Sequence, residues 1–275
     1  MTTDRSINNL DKISRTVRGD LVKLSNSART PHLGSSLSCV DILVALYWNV
    51  LNLTPENPDA TDRDRFILSK GHAATTLYAA LNRRGYISGE LLESYATPGG
   101  VLPEHPIYKS APGIEATSGS LGHGLSLGLG MALSAKINSL SYRVYILLSD
   151  GECNEGSVWE AALMAPAQGL DNLVAIVDFN KWQATGRSEE ITALKPLAEK
   201  FESFGWSSYE INGHQIDEIS NILNEVPDGS GKPVAVIAHT VKGKGISFME
   251  DDNNWHYRIP DDKEVLDAIK ELELD

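Results

Sequence analysis

Asp150 and Asn180 are the residues whose types and spacing point most directly to chemistry. Asp150 lies in Ser149-Asp150-Gly151-Glu152-Cys153-Asn154-Glu155-Gly156, and Asn180 closes Asp178-Phe179-Asn180. A carboxylate and an amide carbonyl are hard oxygen donors, suited to Mg²⁺ or Ca²⁺ that also takes phosphate oxygens. Each follows a short run rich in Val, Ile and Leu, at 142–148 and 173–177, with a helix-like stretch at 155–168 between them. The unit reads strand, helix, strand. A right-handed crossover places both strand ends at one edge of a parallel sheet, the edge where open α/β sheets bind ligands. A strand-end Asp also caps helices in many α/β proteins, so the pair alone leaves a structural reading open.

Histidines supply a second set. The chain has 7, of which five sit in Gly- or Pro-flanked segments: Pro31-His32-Leu33-Gly34, Ser69-Lys70-Gly71-His72-Ala73, Leu102-Pro103-Glu104-His105-Pro106, Gly122-His123-Gly124 and Asn254-Trp255-His256. Histidine moves protons near neutral pH and donates to phosphates and hydroxyls. One loop histidine is ordinarily a solvated or capping residue; five in such segments ask for a common account. His214 reads as a helix start and His239 as a strand end, both structural.

The elements that must position these residues alternate along the chain. Helical apolar spacing covers 7–25 and 38–50. A strand-like run at 65–69 feeds Lys70-Gly71-His72, and 73–84 reads as a helix. Residues 97–120 are dense in Gly, Pro and Ser and lack periodicity, and an ordered loop of that length tends to be functional. A small-residue-rich helix follows at 121–139. After the strand–helix–strand unit come a helix at 194–204, a strand at 206–211, a helix at 215–225 and a strand at 233–238. A loop at 241–260 then precedes a polar terminal helix. The reading is one α/β domain over 1–275, a doubly wound, mainly parallel sheet flanked by helices.

Composition excludes several classes. Lys plus Arg number 24 against 37 Asp plus Glu in 275 residues, a net charge of −13, and no basic stripe marks a nucleic-acid face. No apolar run is long enough to span a bilayer. The start, Met1-Thr2-Thr3-Asp4-Arg5, lacks the apolar core of a signal peptide. Cys39 and Cys153 are too few for a disulfide framework or a zinc cluster. The reading is a soluble cytoplasmic protein.

From about residue 10 to residue 260 the chain resembles the amino-terminal half of the transketolase family. Asp150-Gly151, with Asn180 about thirty residues on, is similar to its thiamine diphosphate motif, although Ser149 stands where the first Gly is usual. Pro31-His32-Leu33-Gly34 keeps the His and second Gly of the family's Gly-His-Pro-Gly. Ser69-Lys70-Gly71-His72 matches closely. So does Gly119-Ser120-Leu121-Gly122-His123-Gly124, with His123 where many members carry Gln. The resemblance implies thiamine diphosphate and Mg²⁺ as cofactors, with Ca²⁺ or Mn²⁺ as possible substitutes. The metal would be held by Asp150, the Asn180 side chain and the Trp182 main-chain carbonyl. Gly151 would let the backbone approach the diphosphate, with Gly119, Leu121 and Glu152 also at the cofactor. His32, His105 and His256 would face the donor carbon chain, and His72 and His123 the diphosphate and thiazolium. Thr240-Val241-Lys242-Gly243-Lys244-Gly245 resembles the family too, and Lys244 reads either as a phosphate contact or as an exposed loop lysine. Glu155 has two readings. By resemblance it lies near the subunit interface and links two cofactor sites through a proton network; as a helix-start carboxylate it favours the helix dipole.

The implied reaction transfers a two-carbon ketol unit from a ketose or ketose phosphate to an aldose acceptor, the cofactor serving as electron sink. The family also needs a glutamate on the aminopyrimidine and an aromatic platform, carried on a second α/β domain. The chain ends at Asp275, and its remaining glutamates read as lying in exposed, polar helices. The expectation is the amino-terminal subunit of a split transketolase. It would form an obligate hetero-oligomer, two copies of each subunit, with cofactor between unlike chains and no nucleic acid or membrane partner. Other readings stay open: part of a deoxyxylulose-phosphate synthase, the α-subunit of a 2-oxo acid dehydrogenase, or a non-catalytic cofactor-binding paralogue. The 2-oxo acid dehydrogenase is not expected to carry the Ser-Lys-Gly-His segment or the late Trp-His. A branched or sulfonated sugar phosphate donor is open as well. The segments Trp182-Gln183-Ala184-Thr185-Gly186 and Trp255-His256-Tyr257 bear on that choice, but the sequence does not decode them.

Overall fold

Apolar runs too short for helices and buried on both faces make the spine of this molecule. The computed structural model describes residues 7–274; the charged start Met1-Thr2-Thr3-Asp4-Arg5 and the final Asp275 lie outside the described residues. In chain order the elements are α1 (Ile7–Ala28), α2 (Leu33–Ser38), α3 (Val40–Ala45), β1 (Arg65–Leu68), α4 (Ala74–Arg84), α5 (Gly89–Glu93), α6 (Gly124–Ile137), β2 (Val144–Ser149), α7 (Gly156–Ala167), β3 (Leu173–Phe179), α8 (Ser188–Ile191), α9 (Leu197–Ser203), β4 (Ser207–Asn212), α10 (Ile216–Asn224), β5 (Val234–His239) and α11 (Asp262–Glu271).

All strand pairings within the sheet are parallel, in the order β1-β2-β3-β5-β4. Every residue of β2 and β3 is buried, as expected of parallel strands covered on both faces. Alternate side chains feed two cores. Tyr145, Leu147, Val174, Ile176 and Val236 pack with Leu21, Leu37, Ile42 and Leu81. Ile146, Leu148, Ala175, Val177 and Ile237 pack with Leu125, Ala162, Phe201 and Trp206. The sheet is therefore doubly wound. Register aligns Ser149 with Asp178 and Phe179 with His239, so the strands that precede Asp150 and Asn180 end at one edge.

Several boundaries differ from the sequence reading, each for a local reason. The stretch 38–50 is broken at Cys39 (φ −100°, ψ 9°), and Leu46–Val50 is a π-helical turn. The expected helix at 121–139 starts only at Gly124, because Gly122 has φ +85°. The expected helix at 155–168 starts at Gly156, because Glu155 is extended. The short helices α5 and α8 carry too few turns to show periodicity. Residues 97–120 form no regular element, as their composition indicates. No helix among the described residues is long and apolar enough to cross a membrane.

Candidate active site

Asp150 follows β2 directly and its residue is fully buried. Its Oδ1 accepts from the Gly151 N–H at 2.8 Å, and its Oδ2 from the Lys181 N–H at 2.8 Å and the Ser188 hydroxyl at 2.9 Å. Lys181 adopts φ +72°, a left-handed conformation for a side-chain-bearing residue, in the turn that offers this N–H. Next to it, Asn180 Oδ1 accepts from the Trp182 N–H at 3.1 Å. Burial, opposed by the Ser188 hydrogen bond, pushes the Asp150 carboxyl up to about 6. A cation is the partner that restores such a buried carboxylate to its ionised form. Among the described residues no three His, Cys, Asp or Glu side chains converge as a metal cage. The donors on offer are one carboxylate, one amide oxygen and main-chain carbonyls, a set that fits Mg²⁺ sharing phosphate oxygens with a ligand. Gly151 matters for approach: a Cβ there would sit 3.0 Å from Gln183 Cγ.

Beneath this edge lies a sealed ion pair. Lys70 Nζ donates to Asp178 Oδ2 at 2.5 Å and to the Ser35 carbonyl at 2.8 Å. Ser38 donates to Asp178 Oδ2 at 2.6 Å, and the Thr240 hydroxyl donates to Oδ1. Both side chains of the pair are fully buried. Burial alone would raise Asp178, but the Lys70 ammonium beside it holds the carboxyl below the usual range. The hub ties α2, the end of β1, β3 and the end of β5 together.

Above the hub opens a cavity of about 420 Å³, lined among others by His32, His72, His105, His256, Gly119 and Trp182. The His32 ring centroid lies 5.5 Å from His72, 6.2 Å from His105 and 5.0 Å from His256. Two backbone devices bring them in. His32 is left-handed (φ +69°) and its N–H donates to the His256 carbonyl at 2.9 Å. Gly119 (φ +123°) leaves room for the His105 ring, which a Cβ would meet at 2.8 Å. Lys242, fully buried, donates from Nζ to His256 Nδ1 at 3.0 Å and to Asn253 Oδ1 at 2.8 Å.

This enclosure sets the charge states. Burial, then the neighbouring His105 and Lys242, lowers His32 to about 4. Burial and Lys242 lower His256 to about 3. Burial with Lys70 holds His72 well below its ordinary value. Burial and the Lys70 charge bring Lys242 down to about 8. Neutral imidazoles next to a protonated lysine can each accept one proton and donate one, which suits hydroxyl chemistry at neutral pH.

Not every residue singled out in the sequence reaches the cavity. Gly151, Leu121, Asn180 and Glu155 line it with the four histidines, Glu155 as an exposed residue. His123 does not: it is exposed at the start of α6, because Gly122 turns the chain before the helix begins. Glu152 is fully buried and spent on protein donors, the Ser69 hydroxyl, the Gly122 N–H at 2.8 Å and the Ser149 N–H at 3.2 Å. It braces two site loops from behind and is not among the residues that line the cavity, although the sequence reading put it at the cofactor. Lys244 pairs with Glu250 at 3.0 Å and lines a separate cleft. His214 is structural as read, its Nδ1 2.8 Å from Asp41 Oδ2 and its Nε2 accepting from the Val241 N–H. His239 stands 2.9 Å from Glu210 at the end of β5. Sequence reasoning missed Lys70, Asp178 and Lys242 as a buried set. A lysine directly following a buried strand was the available signal for Lys70. Nothing in 240–245 set Lys242 apart from Lys244.

Comparison with known proteins adds a separate line. Residues 9–275 match the family described as "Transketolase, thiamine diphosphate binding domain". The chain is 39% identical over 266 residues to one of the subunits of the apulose-4-phosphate transketolase of Phocaeicola vulgatus, covering 97% of this chain and 94% of that one. It is 41% identical over 242 residues to 6-deoxy-6-sulfo-D-fructose transketolase subunit SqwG of Clostridium sp. (strain MSTE9), covering 88% of each. The solved transketolase of Campylobacter jejuni superposes with a TM-score of 0.90 at 29% identity, over 98% of this chain and 43% of that chain. The chain thus spans most of the two related subunits but under half of that structure's chain.

Proposed function

Because the chain belongs to the transketolase family through its thiamine diphosphate binding domain, we propose that it is the amino-terminal subunit of a split, cytoplasmic transketolase. The enzyme moves a two-carbon ketol unit from a ketose or ketose phosphate donor to an aldose acceptor. The observation that carries this reading is one cavity lined by four clustered histidines and by Gly151 and Asn180, directly in front of the buried Asp150 carboxylate that accepts from the Gly151 and Lys181 N–H groups.

Asp150, the Asn180 side chain and the Trp182 carbonyl hold Mg²⁺, and Gly151 admits the diphosphate. His72, Gly119 and Leu121 form the wall on the cofactor side. When bound, thiamine diphosphate supplies an electron sink for cleavage of the bond beside the ketose carbonyl. His32, His105 and His256 orient the donor's hydroxyls and move protons on and off their oxygens. Lys242 keeps His256 in one tautomer: it donates to Nδ1, so Nε2 carries the proton and faces the sugar as a donor.

A carboxy-terminal subunit completes the site with the activating glutamate, in a heterotetramer with two copies of each chain. Relatives named as single subunits of a transketolase, and of nearly this chain's length, support the split. Glu155, exposed among the cavity-lining residues, is available to that interface. The related subunits are named for a branched sugar phosphate and a sulfonated sugar, which places unusual ketoses first in a substrate panel.

The chain is to be co-expressed with the product of a neighbouring gene encoding the complementary half. With thiamine diphosphate and Mg²⁺ added, ketol transfer is followed from a panel of ketose phosphates. Two-carbon transfer by the pair, and none by either chain alone, is the expected result. A pair that binds no cofactor refutes the reading. Asp150→Ala should abolish metal-dependent binding while leaving the fold intact, and unchanged binding would remove Asp150 from the metal site.

A further inference from the structure

Trp182 pairs with Arg187 across a narrow antiparallel turn, and the hydrogen bonds on either side define the kind of pair. Gln183 N–H donates to the Gly186 carbonyl at 2.9 Å, and Ser188 N–H to the Lys181 carbonyl at 3.0 Å. Trp182 and Arg187 therefore stand opposite each other at a non-hydrogen-bonded position. There the two side chains come closest, and each residue's own N–H and C=O project outward from the ladder. The Trp182 N–H meets Asn180 Oδ1 at 3.1 Å. Its carbonyl, on the same outer side, is thereby turned toward Asn180.

Asp150 and Asn180 directly follow the buried strands β2 and β3. The Trp182 carbonyl lies further on, in the turn, and two tethers hold that turn. At its base, Lys181 N–H and the Ser188 hydroxyl both donate to Asp150 Oδ2, at 2.8 and 2.9 Å. On its flank stands Asp251. The Trp182 indole N–H donates to Asp251 Oδ1 at 2.7 Å. Arg187 grips the same carboxylate with two bonds of 2.6 and 2.7 Å, while its guanidinium covers the Trp182 ring at 3.7 Å.

Asp251 belongs to the loop that also carries Lys242 and His256. It is left-handed (φ +57°), and its N–H donates to the Lys242 carbonyl at 2.8 Å. Asn253 adds a second tie: its Nδ2 donates to the Ala184 carbonyl at 3.2 Å and its Oδ1 accepts from Lys242 Nζ at 2.8 Å. The Asp251 side chain is 52% exposed, where an ion pair adds little to overall stability. What the carboxylate does fix is geometry, and a donor fixed in advance loses little freedom when it binds.

We propose that Asp251 is a positioning residue for the metal: by gripping Trp182 and Arg187 on both strands of the turn, it holds the Trp182 carbonyl in the direction of the cation. This rests on the cofactor reading above and adds to it the residue that aims the third ligand. Titration calorimetry of the chain paired with its complementary half tests it. Mg²⁺ is varied at fixed thiamine diphosphate, and then the cofactor is varied at saturating Mg²⁺.

Asp251→Asn keeps the side-chain volume and an acceptor, and Asn tolerates a left-handed backbone. It is expected to weaken Mg²⁺ by about tenfold, as is Arg187→Met, with unliganded melting temperatures unchanged. The double variant should be no weaker than the worse single one, because both remove one clamp. At saturating Mg²⁺ the cofactor constant should return to the wild-type value. Should Asp251→Asn fail to fold, Arg187→Met carries the same test. Wild type that binds no cofactor at any Mg²⁺ concentration overturns the cofactor reading itself. If wild type binds and the variants match it, only the Asp251 assignment falls. Weakening that persists at saturating Mg²⁺ overturns the assignment too, because the clamp would then act on the cofactor and not on the ion. Losses that multiply in the double variant would belong to two independent residues, and would overturn it as well.

Discussion

His32, His72 and His256 stay neutral at physiological pH because their surroundings refuse a further positive charge. Burial is the first cause for each, and buried lysines add to it. The consequence for stability has a definite sign. The folded values of about 4 for His32 and about 3 for His256 lie below the ordinary 6.5. Between those limits the unfolded chain binds more protons, so the stabilisation present above 6.5 is lost as pH falls through about 4 and then about 3. His32→Gln should therefore move the acid limb of the melting profile to lower pH, measured from roughly pH 3 to pH 7. An unchanged limb would mean that other groups set acid stability. At this scale the sequence offered only candidates. His32 and His256 lie far apart along the chain and meet through a left-handed residue and one backbone hydrogen bond, neither of which leaves a periodic trace. His123 shows the converse: its segment has the family's form, but Gly122 turns the side chain into solvent.

Elements were more legible than contacts. β2 and β3 announce themselves as apolar runs, and once both are strands of a parallel sheet their ends must share an edge. The break at Cys39 and the short α8 were hidden, because hydrogen bonds and tertiary contacts over a few residues decide them. What binds the elements at the site is the Lys70–Asp178 hub, whose partners are 108 positions apart. Removing one charge leaves the other buried and unpaired, so Asp178→Leu alone should cost about 3–5 kcal/mol. Replacing both, as Lys70→Met with Asp178→Leu, should cost less than the two single changes summed. Urea denaturation of the four proteins measures the coupling. Strict additivity would show that the pair contributes no interaction of its own.

Across the whole molecule, neighbouring helices α6 and α7 present apolar side chains outward: Leu127 (44% exposed), Ile137 (73%), Leu163 (61%) and Met164 (45%). Exposed apolar surface of this kind is the substance of subunit interfaces. Leu127→Glu with Leu163→Glu should lower the mass of the proposed hetero-oligomer in sedimentation without lowering the melting temperature of the isolated chain. An assembly of unaltered mass would place the contact elsewhere. The sealed lysines have a different use. Lys70 and Lys242 are fully buried, whereas the Lys263 side chain is 83% exposed. An amine-reactive acylating reagent should mark Lys263 on native protein almost at once and pass over the other two. Either one becomes reactive only when the sheet edge opens, so mass-spectrometric footprinting of Lys70 times that opening directly. Added cofactor should slow Lys70 acylation and leave Lys263 unaffected, giving a label-based assay of occupancy that needs no knowledge of the sugar.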